Sequence, residues 1–385
     1  MKKVFRDPLY GYINIIDPLI SELIDTKEFQ RLRRISQLSG VKMVFHGAEH
    51  SRFNHSLGVY ALACKVLENN EVIKNHFNAY ERMLFLTSAL LHDIGHGAYS
   101  HSFERVFHIN HETMTSKILL GDTQIRQALD KYNKNLKHDI SSIILKEAKF
   151  PIIESLISSQ LDIDRLDYLL RDSYYTGMSY GKIDVDRIIR MMSIKDNKIV
   201  YKQGATHAIE NYLISRYHMY FQVYYHKAAR NHEVILEKIY MRIQAIKNTL
   251  DDPYLVYLIE ASYDDINSYL EIDDYYVNAL IKRFSHHDDL ILSQLCRRFL
   301  NRELFQFIEF DKDEEVEAII NKQPSIYTYQ LENVYQQTYK KEFDVVNQIF
   351  ILNNNQQILP IEEVSDIVKG LIHSGNKTIR RLYYE

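Results

Sequence analysis

The stretch LLHDIGHGAYSH, residues 90–101, sets His92, Asp93, His96 and His101 at the end of an apolar run. Imidazoles and carboxylates are ligands for divalent metal ions, and imidazole titrates closest to neutral pH. On a continuing helix His92 and His96 would lie one turn apart. Gly95 and Gly97 favour fraying there, which lets the adjacent His92 and Asp93 reach one ion. The competing reading is a plain helix end, with histidines meeting the last carbonyls and a glycine stopping the helix. SRFNHSLGVY adds Arg52 and His55, and INHETM adds His111 and Glu112. SSQLDIDRLDYLLRDS adds Asp162, Asp164, Asp167 and Asp172 with Arg165 and Arg171. Taken singly, these are a helix cap, a surface helix start and a solvated charged face. However, LDIDRLDYLL also carries leucines and a tyrosine in core periodicity. Several of its carboxylates must therefore lie near the interior, where they need cations or donors.

Holding such groups requires long elements. Only 12 Gly and 6 Pro occur in 385 residues, which favours a mainly α fold. The spacing predicts a helix from Asp17 to Leu38, opened by Asp-Pro, and others through LGVYALACKVLENN and YERMLFLTSALLHD. One or two long helices are expected between Gly204 and Leu250. Strands are expected in FRDPLYGYINI and in SIKD and KIVYK, which flank a turn at Asp196-Asn197. After Asp251-Asp252-Pro253 the pattern loosens, and IEF, IYTYQL and QIFIL mark a smaller mixed α+β portion. This divides the chain into 1–250 and 251–385, with no internal repeat.

Composition narrows the function classes. A hydrophobic content of 46% supports a sizeable core, and a formal net charge of -4 provides no global basic field. Nucleic acid is not an expected partner, so phosphate recognition must rest on local clusters. Cys64 and Cys296 are far apart and outside any CxxC spacing, which argues against a thiolate site and for a reducing, cytoplasmic setting. MKKVFRDPLYGY has no apolar signal core, and no stretch reaches the roughly 20 apolar residues of a membrane span. There are 29 Tyr and no Trp, and tyrosines suit pockets that pack and hydrogen-bond at once.

In chain order, DPLYGYINI, IDTKEFQRLRRISQL, HSRFNHSLGVY, LLHDIGHGAYSHSFE, HET, DIDRLDYLLRD and YYHK resemble the HD superfamily of metal-dependent phosphohydrolases. The superfamily is named for adjacent His-Asp, here His92-Asp93. More narrowly, the set resembles deoxynucleoside triphosphate triphosphohydrolases, strongly from Lys3 to Lys227. The resemblance implies an HD-type helical core with a short β-hairpin, and hydrolysis of a dNTP to deoxynucleoside and inorganic triphosphate. It implies His55, His92, Asp93 and Asp164 as ligands of a divalent ion such as Mn, Mg or Fe. Arg52, Arg165 and Tyr168 fall near the phosphates, with Arg216 a further contact. His96, His101 and His111, with Glu104 or Glu112, become the proton relay, with His101 as leaving-group acid. Gln37, Leu38, Asp172 and Tyr224 fall around the deoxyribose, while Tyr220 and Tyr225 stand where members vary.

Lys3, Asp25, Gln30, Arg33 and Arg302, with Lys227, resemble positions that in some members bind an activating nucleotide, GTP or a dNTP, between subunits. That implies a homo-oligomer, a dimer of dimers forming a homotetramer; Arg6 departs from a smaller polar residue of some members. The alternatives are another HD-type nucleotide phosphatase or phosphodiesterase, or a nucleotide sensor or single-stranded nucleic-acid binder without turnover. The intact ligand set argues against the sensor and the binder.

Overall fold

The computed structural model describes residues 3–252, 254–255, 265–335, 348–373 and 378–385. Strands β1 (Lys3–Asp7) and β2 (Gly11–Ile15) form an antiparallel hairpin whose alternation buries Ile13 and Ile15. The helix expected from Asp17 to Leu38 is broken. Helix α1 (Pro18–Asp25) stops at Thr26, which has extended backbone and caps a short helix, Lys27–Arg31, by accepting from Phe29 N at 3.3 Å. A threonine hydroxyl that can satisfy an amide locally competes with helix continuation. A 3-10 turn, Leu32–Arg34, then leads to extended Ile35. This frees Ser36 to bridge Ser51 and brings Gln37 beside the start of the next long helix.

That helix, α2 (Arg52–Asn69), packs along α3 (Ala79–Leu91); each begins with a capping box, Ser51 with Asn54 and Asn78 with Glu81. Helices α4 (His101–Phe107) and α5 (His111–Leu120) follow. Next comes α6 (Ile163–Thr176), capped by Asp162 and ended by Gly177 at φ 73°. Strands β3 (Met192–Lys195) and β4 (Lys198–Lys202) pair across Asp196 and Asn197, both left-handed as a tight hairpin turn requires. The region from Gly204 resolves into two helices, α7 (Thr206–Met219) and α8 (Lys227–Ala245), separated by a π-turn at Tyr220–Tyr224.

The later part is mixed, as expected. Helices α9 (Asp274–Phe284) and α10 (Leu290–Asn301) precede β5 (Gln306–Phe310), β6 (Tyr329–Tyr335), β7 (Phe350–Leu352), β8 (Ile358–Pro360) and β9 (Thr378–Tyr384). The last strand, β9, lies between β5 and β6. Strand β7 runs parallel to β4, pairing Tyr201 with Ile351, so the later part completes a sheet begun by the earlier one. One buried apolar cluster extends from Ile13 to Tyr383. No helix among the described residues is long and apolar enough to cross a membrane.

Candidate metal centre and adjoining cavity

Four side chains meet where α2, α3 and α6 converge. His55 comes from the first turn of α2, His92 and Asp93 from the end of α3, and Asp164 from the first turn of α6. His55 Nε2 lies 3.0 Å from Asp164 Oδ1, 3.7 Å from Asp93 Oδ2 and 3.3 Å from His92 Nε2. His92 Nε2 lies 3.4 Å from Asp93 Oδ1 and 3.7 Å from Asp164 Oδ1. The outer ring nitrogens fix the tautomers. His55 Nδ1 faces Asp167 Oδ2 at 2.8 Å and His92 Nδ1 faces Ala89 O at 2.9 Å. Both partners accept, so in the neutral imidazoles both protons sit on Nδ1 and both Nε2 lone pairs point inward. Two inward lone pairs, the buried carboxylate of Asp93 and the half-buried carboxylate of Asp164 are the donor set of a divalent cation.

The electrostatics agree. Burial penalises charge on His55, but its bonds to Asp164 and Asp167 outweigh this and push its pKa up to about 10. Burial opposes charge on Asp164 as well, yet His55 and His92 pull its carboxyl well below the usual range. The negative field that holds a proton on His55 is the field a cation would occupy. Behind the cluster, Arg171 binds Asp167 through two bonds of 2.9 Å and Asp7 at 2.8 Å, while the Tyr10 hydroxyl donates to Asp167 at 2.7 Å. A Cβ at Gly58 would lie 2.0 Å from Asp167 Oδ1, so only glycine lets α2 approach this pair.

After Asp93 the chain turns through Tyr99 and Ser100, at φ 56° and 47°. Such left-handed non-glycine residues cost of order 1–3 kcal/mol each and persist where neighbours hold them. Helix α4 then presents His101 and Glu104. Glu104 Oε1 sits 2.5 Å from His111 Nδ1 and 3.6 Å from His96 Nδ1, and Oε2 sits 3.0 Å from His101 Nδ1. The His96 ring stacks on His111 at 4.0 Å, and its Nε2 lies 3.3 Å from Asp93 Oδ1. Burial, then the charges of Arg52 and His111, hold His96 well below the usual imidazole range. Glu104 is thus the carboxylate that meets the three histidines. Glu112 instead pairs with Lys146 Nζ at 2.8 Å, because the start of α5 directs it outward. His101 is the outermost of the three, its side chain 65% exposed.

A cavity of about 510 Å³ opens over these groups. Gln37, Leu38, Arg52, Arg165, Tyr168, Asp172 and Tyr224 line it together with His55, Asp93, Asp164, His96, His101 and His111. Arg52 pairs with Asp93 and donates to Ser100 Oγ at 2.8 Å. Arg165 Nε is held by Ser159 O at 2.6 Å and by Asp162 at 3.2 Å. Arg216 is buried just behind, donating to Gln160 at 3.1 Å, with its guanidinium carbon 5.6 Å from the centre of the Tyr220 ring. Asp172 accepts the Tyr224 hydroxyl at 2.7 Å and faces His50 Nε2 at 2.8 Å.

Sequence reasoning missed His50, and also the wall formed by Arg105, Arg230, Glu233 and Glu332. Arg230 pairs with Glu233 and reaches Glu332 at 2.7 Å, while Arg105 reaches Glu237 at 2.6 Å. The i, i+3 and i+7 spacing of Arg230, Glu233 and Glu237 on α8 was the available signal.

The residues expected to bind an activator fall into two groups. Lys3 pairs with Asp25, while Gln30 accepts from Arg33 at 2.8 Å and Arg33 lies 3.5 Å over the Phe53 ring. Lys227 lies 4.9 Å from the Phe307 ring, and Arg302 donates to Met43 O at 3.0 Å. Burial first, then Lys227, Arg381 and Arg302, lower the pKa of neighbouring His226.

A helical core carrying adjacent His-Asp at a helix end, with distant His and Asp completing the donor set, defines an HD-type phosphohydrolase. Residues 52–172 match the HD domain and residues 183–381 the HD associated region, and the chain belongs to the HD domain family. It is 40% identical over 399 residues to the uncharacterized protein YwfO of Bacillus subtilis, covering all of this chain and 92% of that one. A Dictyostelium discoideum deoxynucleoside triphosphate triphosphohydrolase SAMHD1 homolog is 30% identical over 332 residues, covering 80% of this chain and 60% of that one. The crystal structure of a phosphohydrolase from Bacteroides thetaiotaomicron matches with TM-score 0.87 and 27% identity, over the whole of both chains. HD-domain phosphohydrolases depend on a divalent metal, and the His55–His92–Asp93 cluster can bind one.

Proposed function

We propose that the protein hydrolyses deoxynucleoside triphosphates to deoxynucleoside and inorganic triphosphate. The observation that carries this reading is the pairing of Tyr224 with Asp172 in the cavity that also holds the metal cluster. A carboxylate already oriented by a tyrosine and by His50 is a fixed acceptor for a 3′-hydroxyl. The Tyr224 ring beside it leaves no room for a 2′-oxygen.

His55, His92, Asp93 and Asp164 would hold the divalent ion, which when bound supplies Lewis-acid charge to a phosphoryl oxygen and to the attacking water. Arg52 and Arg165, their guanidiniums fixed by neighbours, bind the remaining phosphate oxygens. Water attacks the α-phosphorus and the bond from phosphorus to the 5′-oxygen breaks. His101 gives the departing oxygen its proton, and Glu104 holds His101 and His111 in orientation. His96, stacked on His111, extends the relay.

Lys3, Asp25, Gln30 and Arg33, with Lys227 and Arg302, form the proposed activator site between subunits of a homotetramer; their cations suit phosphate and Asp25 suits a guanine edge. Binding there would link assembly to turnover.

The test is incubation of metal-loaded protein with each dNTP and NTP, with and without GTP or dGTP, and separation of products by ion exchange. Triphosphate plus deoxynucleoside is expected. Orthophosphate or pyrophosphate would instead indicate another nucleotide phosphohydrolase, and tight binding without products a sensor. Sedimentation with and without nucleotide checks the assembly, and unchanged mass and rate would remove the activator site.

A further inference from the structure

Between Asp93 and His101 the chain turns to aim the proton donor; Thr115 holds Gly95 N at 3.0 Å and Arg52 holds Ser100, and further restraints come from Arg31 and residues 269–278. The Tyr269 hydroxyl donates to Gly95 O at 2.7 Å. Buried Arg31 bridges His96 O at 2.9 Å and Ile272 O at 2.7 Å. Asp274 holds two loops at once: Oδ1 accepts from Tyr99 N at 2.8 Å and Oδ2 from Ser36 N at 2.9 Å. One helical turn along α9, Asn278 accepts the Tyr99 hydroxyl at 2.6 Å. One face of α9 therefore fixes left-handed Tyr99 at both its backbone and its ring tip. The Ser36 side is tied in as well, since Gln37 N donates to His50 O at 3.0 Å and Arg52 N to Ile35 O at 2.9 Å.

We propose that Asp274 is a positioning residue for the reaction: its carboxylate sets His101 against the Gln37–Leu38 wall by holding Tyr99 and Ser36 together. Asp274 does not touch substrate and acts through two backbone amides. Capping does not account for it, because Asp273 is the cap of α9 and accepts from Tyr276 N at 3.0 Å. At 2% exposure it has no water to take over its bonds. The proposal rests on the reading of His101 as the group that protonates the departing 5′-oxygen.

Asp274→Asn keeps the shape but sets an N–H2 donor against one of the two amides. Two measurements test it. The first is hydrogen exchange in residues 95–101 and 35–38, expected to accelerate by about tenfold or more while the interior of α2 is unchanged. The second compares a dNTP with its analogue carrying sulfur in place of the 5′-oxygen, whose thiolate leaves without a proton. The kcat on the dNTP is expected to fall about a hundredfold, and on the analogue less than about threefold. Equal losses on both substrates, or unchanged exchange at Tyr99, would overturn the proposal. Tyr99→Phe removes only the bond to Asn278 and should give the same pattern with a smaller loss, which carries the test if Asp274→Asn does not fold. If the wild-type protein releases no deoxynucleoside from any dNTP while Tyr99 and Ser36 loosen together in the variant, the proposed reaction fails and the positioning of both loops by Asp274 stands.

Discussion

The proposed ligand half and the proposed proton half of this site are built on different supports. His55 and Asp164 stand in the first turns of long helices, and behind them Asp167, Arg171, Asp7 and Tyr10 form a buried network of complementary charges and donors. His101 and Glu104 stand on a seven-residue helix that follows two left-handed residues, and His101 reaches toward solvent. Charge that must be held at a fixed point is placed on rigid elements backed by buried partners. The group proposed to meet a departing atom is placed on a short helix that packs on α8 and follows a turn whose Tyr99 is bonded to α9.

Four substitutions or titrations would break or sharpen this contrast. Asp164→Ala should remove bound metal and lower turnover by more than about 10³-fold, measured by elemental analysis and nucleoside release. Retained metal would place the ion elsewhere. Arg171→Met strands Asp167 and Asp7 in the interior without their cation, and should cost about 3–5 kcal/mol in urea unfolding. A loss near zero would show that the rigid half does not depend on its backing network. Glu104→Gln should lower kcat about tenfold with metal content unchanged, since the proton half loses its shared acceptor and the ligand half does not. Loss of metal in that variant would merge the two halves.

The smallest effect, fully present at neutral pH and lost only in acid, concerns the cavity wall. Burial penalises charge on Glu233, but Arg230, Arg105 and Ser39 outweigh it and draw its pKa down to about 2 from an ordinary 4.5. The unfolded chain therefore binds this proton more readily. The contribution to stability is complete above about pH 4.5 and is lost as pH falls toward 2. Thermal melts of wild type and Glu233→Gln across that range should converge as the pH drops; parallel curves would remove Glu233 as the source.

The helices that carry the candidate site were legible because apolar periodicity and acidic or histidine residues coincide in LLHDIG and LDIDRLDYLL. The mixed later part was legible from its short β-rich runs. The break at Thr26 was not, since a hydroxyl satisfying an amide three residues on leaves the apolar spacing intact. The anchoring by Asp274 was not legible either. It bonds backbone N–H groups, which every sequence has, and its partners lie more than a hundred residues away. His50 was hidden for a related reason: its role depends on Asp172, which only the fold brings within 2.8 Å. Sequence periodicity marks groups that share a helix and is silent about groups joined only by tertiary approach.

The placement of β9 between β5 and β6, with β7 running beside β4, sets an order of events during synthesis. When residue 250 has left the ribosome, every proposed metal ligand and proton-transfer residue has been made. The strand that separates β5 from β6 and the helix that restrains Tyr99 have not. The nascent chain thus carries the ligand cluster with its backing network before the partners that restrain Tyr99 and Ser36 exist, and those contacts of large sequence separation close later.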